Sequence, residues 1–125
     1  MNTFKYQKEN SLEKRTFESN RIKEKYSSKI PVIIEMSPGE KNLQDIDKHK
    51  YLLPNDLTLG KFMHVIRKRI KLNSEHALFF SIVNETNPSG IIGSPGQSVG
   101  EIYNQHKSED NFLYIRYTSE NTFGF

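Results

Sequence analysis

Leu59, Phe62, Met63, Ile66 and Ile70 recur at helical spacing, and no other segment of the chain is so strongly amphipathic. The pattern predicts a helix over 58–70 with one apolar face, capped at its start by Asp56 or Thr58. Its polar face holds Arg67, Lys68, Arg69 and Lys71. A single apolar face needs a second layer to cover it, and the flanking segments supply strands. Ile30-Pro31-Val32-Ile33-Ile34-Glu35-Met36 is β-branched, with Pro31 near its start where a missing N–H is tolerated. Lys50-Tyr51-Leu52-Leu53-Pro54 is a short strand stopped by proline. The run 77–83 is nearly all apolar and reads as a strand covered on both faces, and 112–117 forms the last strand.

Between these lie turns and two further helices. Ser37-Pro38-Gly39 marks a turn, and 40–48 is polar loop. Residues 84–98 have the Gly, Pro and Ser chemistry of a loop, in which the glycines relax the chain, and Val99, Ile102 and Tyr103 suggest a short helix ending near His106. Residues 12–26 read as a helix whose stripe, Leu12, Arg15/Thr16, Ser19, Ile22 and Tyr26, is thinly apolar, so it should lie on a surface; 4–9 could add a short turn. The order helix, strand, strand, helix, strand, short helix, strand describes an α+β chain. Its β-grasp sheet packs on the 58–70 helix, with 77–83 and 112–117 at the centre.

Composition narrows the chemistry. The 125 residues include no Cys, which excludes disulfides, thiolate zinc sites, iron–sulfur clusters and a cysteine nucleophile within the chain. The four histidines lack ligand spacing, no Gly-rich segment is followed by Gly-Lys-Ser/Thr, and no carboxylate pair stands apart from ordinary surface acids. No enzyme, metal or cofactor is expected. No apolar run approaches the ~20 residues of a membrane span, and the first residues lack a secretory signal, so a cytoplasmic protein is expected. Residues 1–29 carry eight basic and four acidic side chains while the remainder is nearly neutral, a basic front suited to acidic partners.

Several stretches resemble one family. Arg21-Ile22-x-x-Lys25-Tyr26, Ile30-Pro31-Val32-Ile33, Asp47-Lys48-x-Lys50-Tyr51-Leu52-x-Pro54-x-Asp56-Leu57, Ile66-Arg67-Lys68-Arg69-Ile70, Ala77-Leu78-Phe79-Phe80 and Phe112-Leu113-Tyr114-Ile115 are similar to the ubiquitin-like modifiers of autophagy. The GABA type A receptor-associated protein and the microtubule-associated protein light chain 3 typify that family. The resemblance covers most of the chain. It implies a ubiquitin-like β-grasp domain over 29–118, an N-terminal extension of two helices over 1–28 and a flexible tail over 119–125. The chain departs from the family in a longer 84–100 connection, which lies outside any transfer, in Ser27-Ser28 and in His49.

The resemblance also implies a mode of action. A dedicated cysteine protease would remove Phe125, cutting after Gly124 with Phe123 beside the cut. Activating and conjugating enzymes would then pass the Gly124 carboxyl to the amine of phosphatidylethanolamine on autophagosomal membranes. Only a free carboxylate can be adenylated, and glycine, lacking Cβ, fits a narrow channel. The same resemblance implies capture of cargo receptors through aromatic-x-x-aliphatic motifs that add to the 50–53 strand edge. The aromatic pocket would use Glu18, Ile22, Pro31, Lys50, Leu52 and Phe112. The aliphatic pocket would use Tyr51, Leu53, Pro54, Leu57, Phe62, Val65 and Ile66, with Arg69 meeting an acidic flank. Competing readings are an unconjugated adaptor or tubulin-binding module that uses the same groove and, ranked far below, an RNA-binding domain; no nucleic acid partner is expected.

Overall fold

The computed structural model describes residues 4–72 and 75–119. Helix α3 (Leu59–Arg69) starts at Thr58, whose hydroxyl accepts from the Lys61 N–H at 3.2 Å, so Thr58 and not Asp56 is the cap. Leu59, Phe62 and Ile66 are its buried residues, and they press against one face of a five-stranded sheet. The strands are β1 (Lys29–Met36), β2 (Lys50–Pro54), β3 (Phe79–Val83), β4 (Ile91–Ile92) and β5 (Leu113–Thr118), in the order β2-β1-β5-β3-β4. β1 runs parallel to β5, and the other neighbours are antiparallel. The remaining helices are α1 (Lys5–Glu9), α2 (Leu12–Lys25) and α4 (Val99–His106).

Alternation along the strands divides two cores. Val32, Ile34, Leu113, Ile115, Tyr117, Phe80 and Ile82 face α3 and α4 in the larger one. Ile33, Tyr114, Phe112 and Val83 form the smaller one with Phe4, and Tyr6 and Ile22 from the first two helices pack against it. β1 and β5 are therefore covered on both sides, which explains their almost unbroken apolar runs. Pro31 sits one residue before the β1–β5 pairing begins at Val32, where its missing N–H interrupts no parallel ladder.

β5 is the middle strand, flanked by β1 and β3, so 112–117 lies at the centre of the sheet and the 77–83 run, a strand from Phe79, lies beside it. One expectation needs correction: the 84–98 segment is not pure loop, since Ile91 and Ile92 form β4 and pair with Ile82 and Ser81. Gly90 and Gly93 in this segment, and Gly100 in the first turn of α4, are places of close approach. A Cβ at Gly90, where φ is +86°, would fall 1.9 Å from Ser81 Oγ, and one at Gly100 would fall 2.7 Å from the Asn55 carbonyl oxygen.

The thin stripe of α2 has a physical explanation. Its buried residues are Arg15 and Ser19, both polar, while Leu12, Phe17 and Tyr26 remain exposed. Arg15 donates through Nη1 to the carbonyls of Gln7 and Asn10, at 3.1 and 2.6 Å, and through Nε to Asp110 Oδ2 at 2.8 Å. Ser19 donates to the Asp110 carbonyl. Asp110, fully buried, also accepts from the Tyr114 hydroxyl and, at 2.9 Å, from the Phe112 N–H. The helix is held by charge-assisted hydrogen bonds in place of an apolar ridge.

Candidate peptide-binding groove

β2 pairs only with β1, so its outer edge has no strand partner among the described residues. Such an edge presents backbone N–H and C=O groups to any extended segment. Along it Tyr51 and Leu53 point into the core, while Lys50, Leu52 and Pro54 point outward, Leu52 being 39% exposed. Lys50 pairs with Glu18 of α2, and the Tyr6 hydroxyl donates to the other Glu18 oxygen. The Lys50 ammonium lies 5.0 Å from the centre of the Tyr6 ring. Burial pushes the Glu18 carboxyl up, but hydrogen bonds from Lys50 and Tyr6 and the Lys50 charge outweigh it and hold the group below its ordinary value. Burial raises the Tyr6 phenol well above its ordinary range, and the Glu18 carboxylate adds to the effect. The link ties α2 across to the outer strand, with Ile22 half-buried beside it.

The residues expected to form two pockets separate by depth. Glu18, Ile22, Lys50, Leu52, Pro54, Leu57, Val65 and Arg69 reach the surface at least in part. Pro31, Tyr51, Leu53, Phe62, Ile66 and Phe112 are buried and can only form the floor. Phe112, wholly buried, lies edge-on to Tyr6 with ring centres 5.3 Å apart, and Phe62 packs edge-on beneath Tyr51 at 5.2 Å. Val65, 41% exposed, and the partly buried Leu57 border the aliphatic side. Arg69 is held 3.0 Å from Asp47 and stacks over Tyr51, so its charge is already shared. Tyr6, which completes the Glu18 link, was not singled out from the sequence, because it falls in a segment legible only as a short turn. His49, where the chain departs from the family, places its Nδ1 2.9 Å from the Ile34 carbonyl.

Residues 14–124 match the family described as "Autophagy protein Atg8 ubiquitin like". The chain belongs to the Atg8 family. It is 50% identical over 115 residues to autophagy-related protein 8a of Arabidopsis thaliana, covering 92% of this chain and 88% of that one. Over 119 residues it is 50% identical to autophagy-related protein 8 of Kluyveromyces lactis, covering 95% and 90%. The crystal structure of Trypanosoma brucei ATG8 superposes with a TM-score of 0.79 at 30% identity, covering 92% of this chain and 93% of that one. The ubiquitin-like fold with two added N-terminal helices is thus shared with other Atg8 proteins. No helix among the described residues is long and apolar enough to cross a membrane. Phe123, Gly124 and Phe125, the expected processing and attachment residues, lie outside the described residues.

Proposed function

We propose that this Atg8 protein is a removable membrane tag: a ubiquitin-like modifier cut after Gly124, joined through Gly124 to phosphatidylethanolamine, and recognised by receptors that dock on β2. Hydrolysis of the Gly124–Phe125 amide releases phenylalanine and frees the glycine carboxylate. ATP then activates that carboxylate on a separate enzyme, and the lipid amine displaces the activating group to form an amide. The partner enzymes supply the nucleophilic cysteines and the nucleotide site; this chain supplies the substrate carboxyl.

The observation that carries the receptor half of the reading is the unpaired edge of β2, with Leu52 exposed beside the Lys50–Glu18 link. An extended segment would take backbone hydrogen bonds from that edge, and its two apolar side chains would settle on either side of it. Burial of the aromatic side chain dominates affinity, and the exposed ion pairs, worth about 0–1 kcal/mol each, adjust rate and selectivity.

Mass spectrometry of the protein from fed and starved cells tests the tag. Loss of Phe125 together with a Gly124–phosphatidylethanolamine adduct is the expected result, and Gly124→Ala should abolish the adduct. A chain that keeps Phe125 under both conditions would leave it as an unconjugated adaptor. Leu52→Ala should weaken binding of an aromatic-x-x-aliphatic peptide in calorimetry without unfolding the domain, and unchanged affinity would refute the groove.

A further inference from the structure

Phe17 is 63% exposed, the most exposed large apolar side chain among the described residues. It does not stand alone. With Ile22 and Tyr26 it walls a depression of about 280 Å³ on the outer face of α2, bordered by Glu18, Arg21 and Lys25. The Arg21 guanidinium lies 5.8 Å from the Phe17 ring centre, and the Lys25 ammonium 5.4 Å from the Tyr26 ring centre. No ion pair joins Arg21 or Lys25 to a carboxylate among the described residues. The depression is therefore apolar at its base and carries two uncompensated cations at its rim.

We infer that this depression is an additional subsite for receptor peptides, taking one apolar side chain from an acidic segment next to the motif that docks on β2. The inference rests on the groove reading, because the two sites share Glu18 and Ile22 and form one continuous surface. Glu18 faces Lys50 and Tyr6 on one side and borders the depression on the other. A peptide held along β2 and continuing past Glu18 meets Phe17 next. Charge complementarity selects an acidic segment, since Arg21 and Lys25 await carboxylates while Glu18 is already neutralised by Lys50. Continuity favours a peptide over a lipid surface, because the depression shares Glu18 and Ile22 with the groove and so lies in line with a segment held on β2. Phe17 thus contributes to receptor choice while leaving the two main pockets untouched.

Calorimetry with synthetic peptides tests this. The reference peptide carries Trp-x-x-Leu flanked on both sides by glutamates; in a companion series one flanking glutamate is replaced by Phe at successive positions. One companion peptide should bind roughly five- to tenfold more tightly than the reference, the gain expected for partial burial of one aromatic side chain. Phe17→Ala should erase that gain and leave the reference affinity unchanged, and Leu52→Ala should weaken both peptides. Phe17 is exposed, so its replacement should leave the fold intact, which circular dichroism would check. If no companion peptide gains affinity, or the gain survives Phe17→Ala, the subsite is refuted while the groove stands. If the reference peptide does not bind at all, both the groove and the subsite fall. Weaker binding of Phe17→Ala to phosphatidylserine vesicles, with peptide affinities unchanged, would assign the patch to membranes and overturn the proposal.

Discussion

Arg15 Nε lies 2.8 Å from Asp110 Oδ2, and both side chains are almost fully removed from water. This pair joins the N-terminal helices to the turn before β5, which sits beneath the groove. Breaking a buried ion pair strands an uncompensated charge and typically costs about 3–5 kcal/mol. Arg15→Ala should destabilise the domain by that order, and Asp110→Ala by at least as much, because the Tyr114 hydroxyl and Phe112 N–H lose an acceptor as well. Urea denaturation gives the magnitude. Hydrogen exchange should show the amides of α1 and α2 losing protection before those of β1 and β5.

Glu40 fastens the end of β5. Its carboxylate accepts from the Ser119 N–H at 2.6 Å, the Thr118 hydroxyl at 2.8 Å and the Asn42 N–H at 2.8 Å, and from the Ser119 hydroxyl. Burial pushes this carboxyl up, but those donors prevail and lower it to about 2. A depressed folded-state pKa means that the clamp is fully formed above the ordinary carboxylate value of 4.5 and is lost as pH falls from there toward 2. Protection of the Ser119 amide should decline across that window. In Glu40→Gln the decline should vanish and protection should be low throughout, a contrast that NMR exchange measurements can follow.

How much of this could be read beforehand depends on which physical signal each element carries. α3 announced itself because Leu59, Phe62 and Ile66 supply burial at helical period, whereas Leu52 entered only through the family resemblance, since a five-residue strand does not itself say which alternate face points outward. The docking of α2 was hidden, because periodicity weighs apolar residues and this interface is made by Arg15 and Ser19. Asp110 likewise looked like any surface acid, since nothing local foretells a partner 95 residues away. Two isoleucines among Gly and Pro are too few to reveal β4. Within the site, residue type alone could not separate Leu52 at the surface from Phe112 and Ile66 beneath it, a difference of depth that only packing defines.

Gly100 opens α4 against the loop after β2, its N–H donating to the Asn55 carbonyl at 2.9 Å. A methyl group there would lie 2.7 Å from that oxygen, closer than non-bonded atoms tolerate. Gly100→Ala should therefore push the loop away and cost about 1–3 kcal/mol, as overpacking generally does. A lower melting temperature with an unchanged fold is the expected result. Ala at Gly96, where a Cβ meets nothing within 4 Å, should have little effect and serves as the control.

Tyr51 presents the opposite case. Its ring packs on Phe62, with the Lys48 ammonium and Arg69 guanidinium over it at 4.9 and 5.6 Å. Its hydroxyl, however, is buried without a hydrogen-bond partner among the described residues. Burial raises its pKa, the Arg69 charge opposes the rise and Asp47 adds to it. An unsatisfied buried hydroxyl is a net burden, so deleting it while keeping the ring should leave stability unchanged or improve it by about 1 kcal/mol. Tyr51→Phe is expected to shift the urea midpoint upward, or not at all, with no change in slope. It should also retain peptide affinity, because the ring and its overlying cations remain. A loss of more than about 1 kcal/mol would show that the hydroxyl makes a bond in solution, and the aliphatic side of the groove would then have a polar floor.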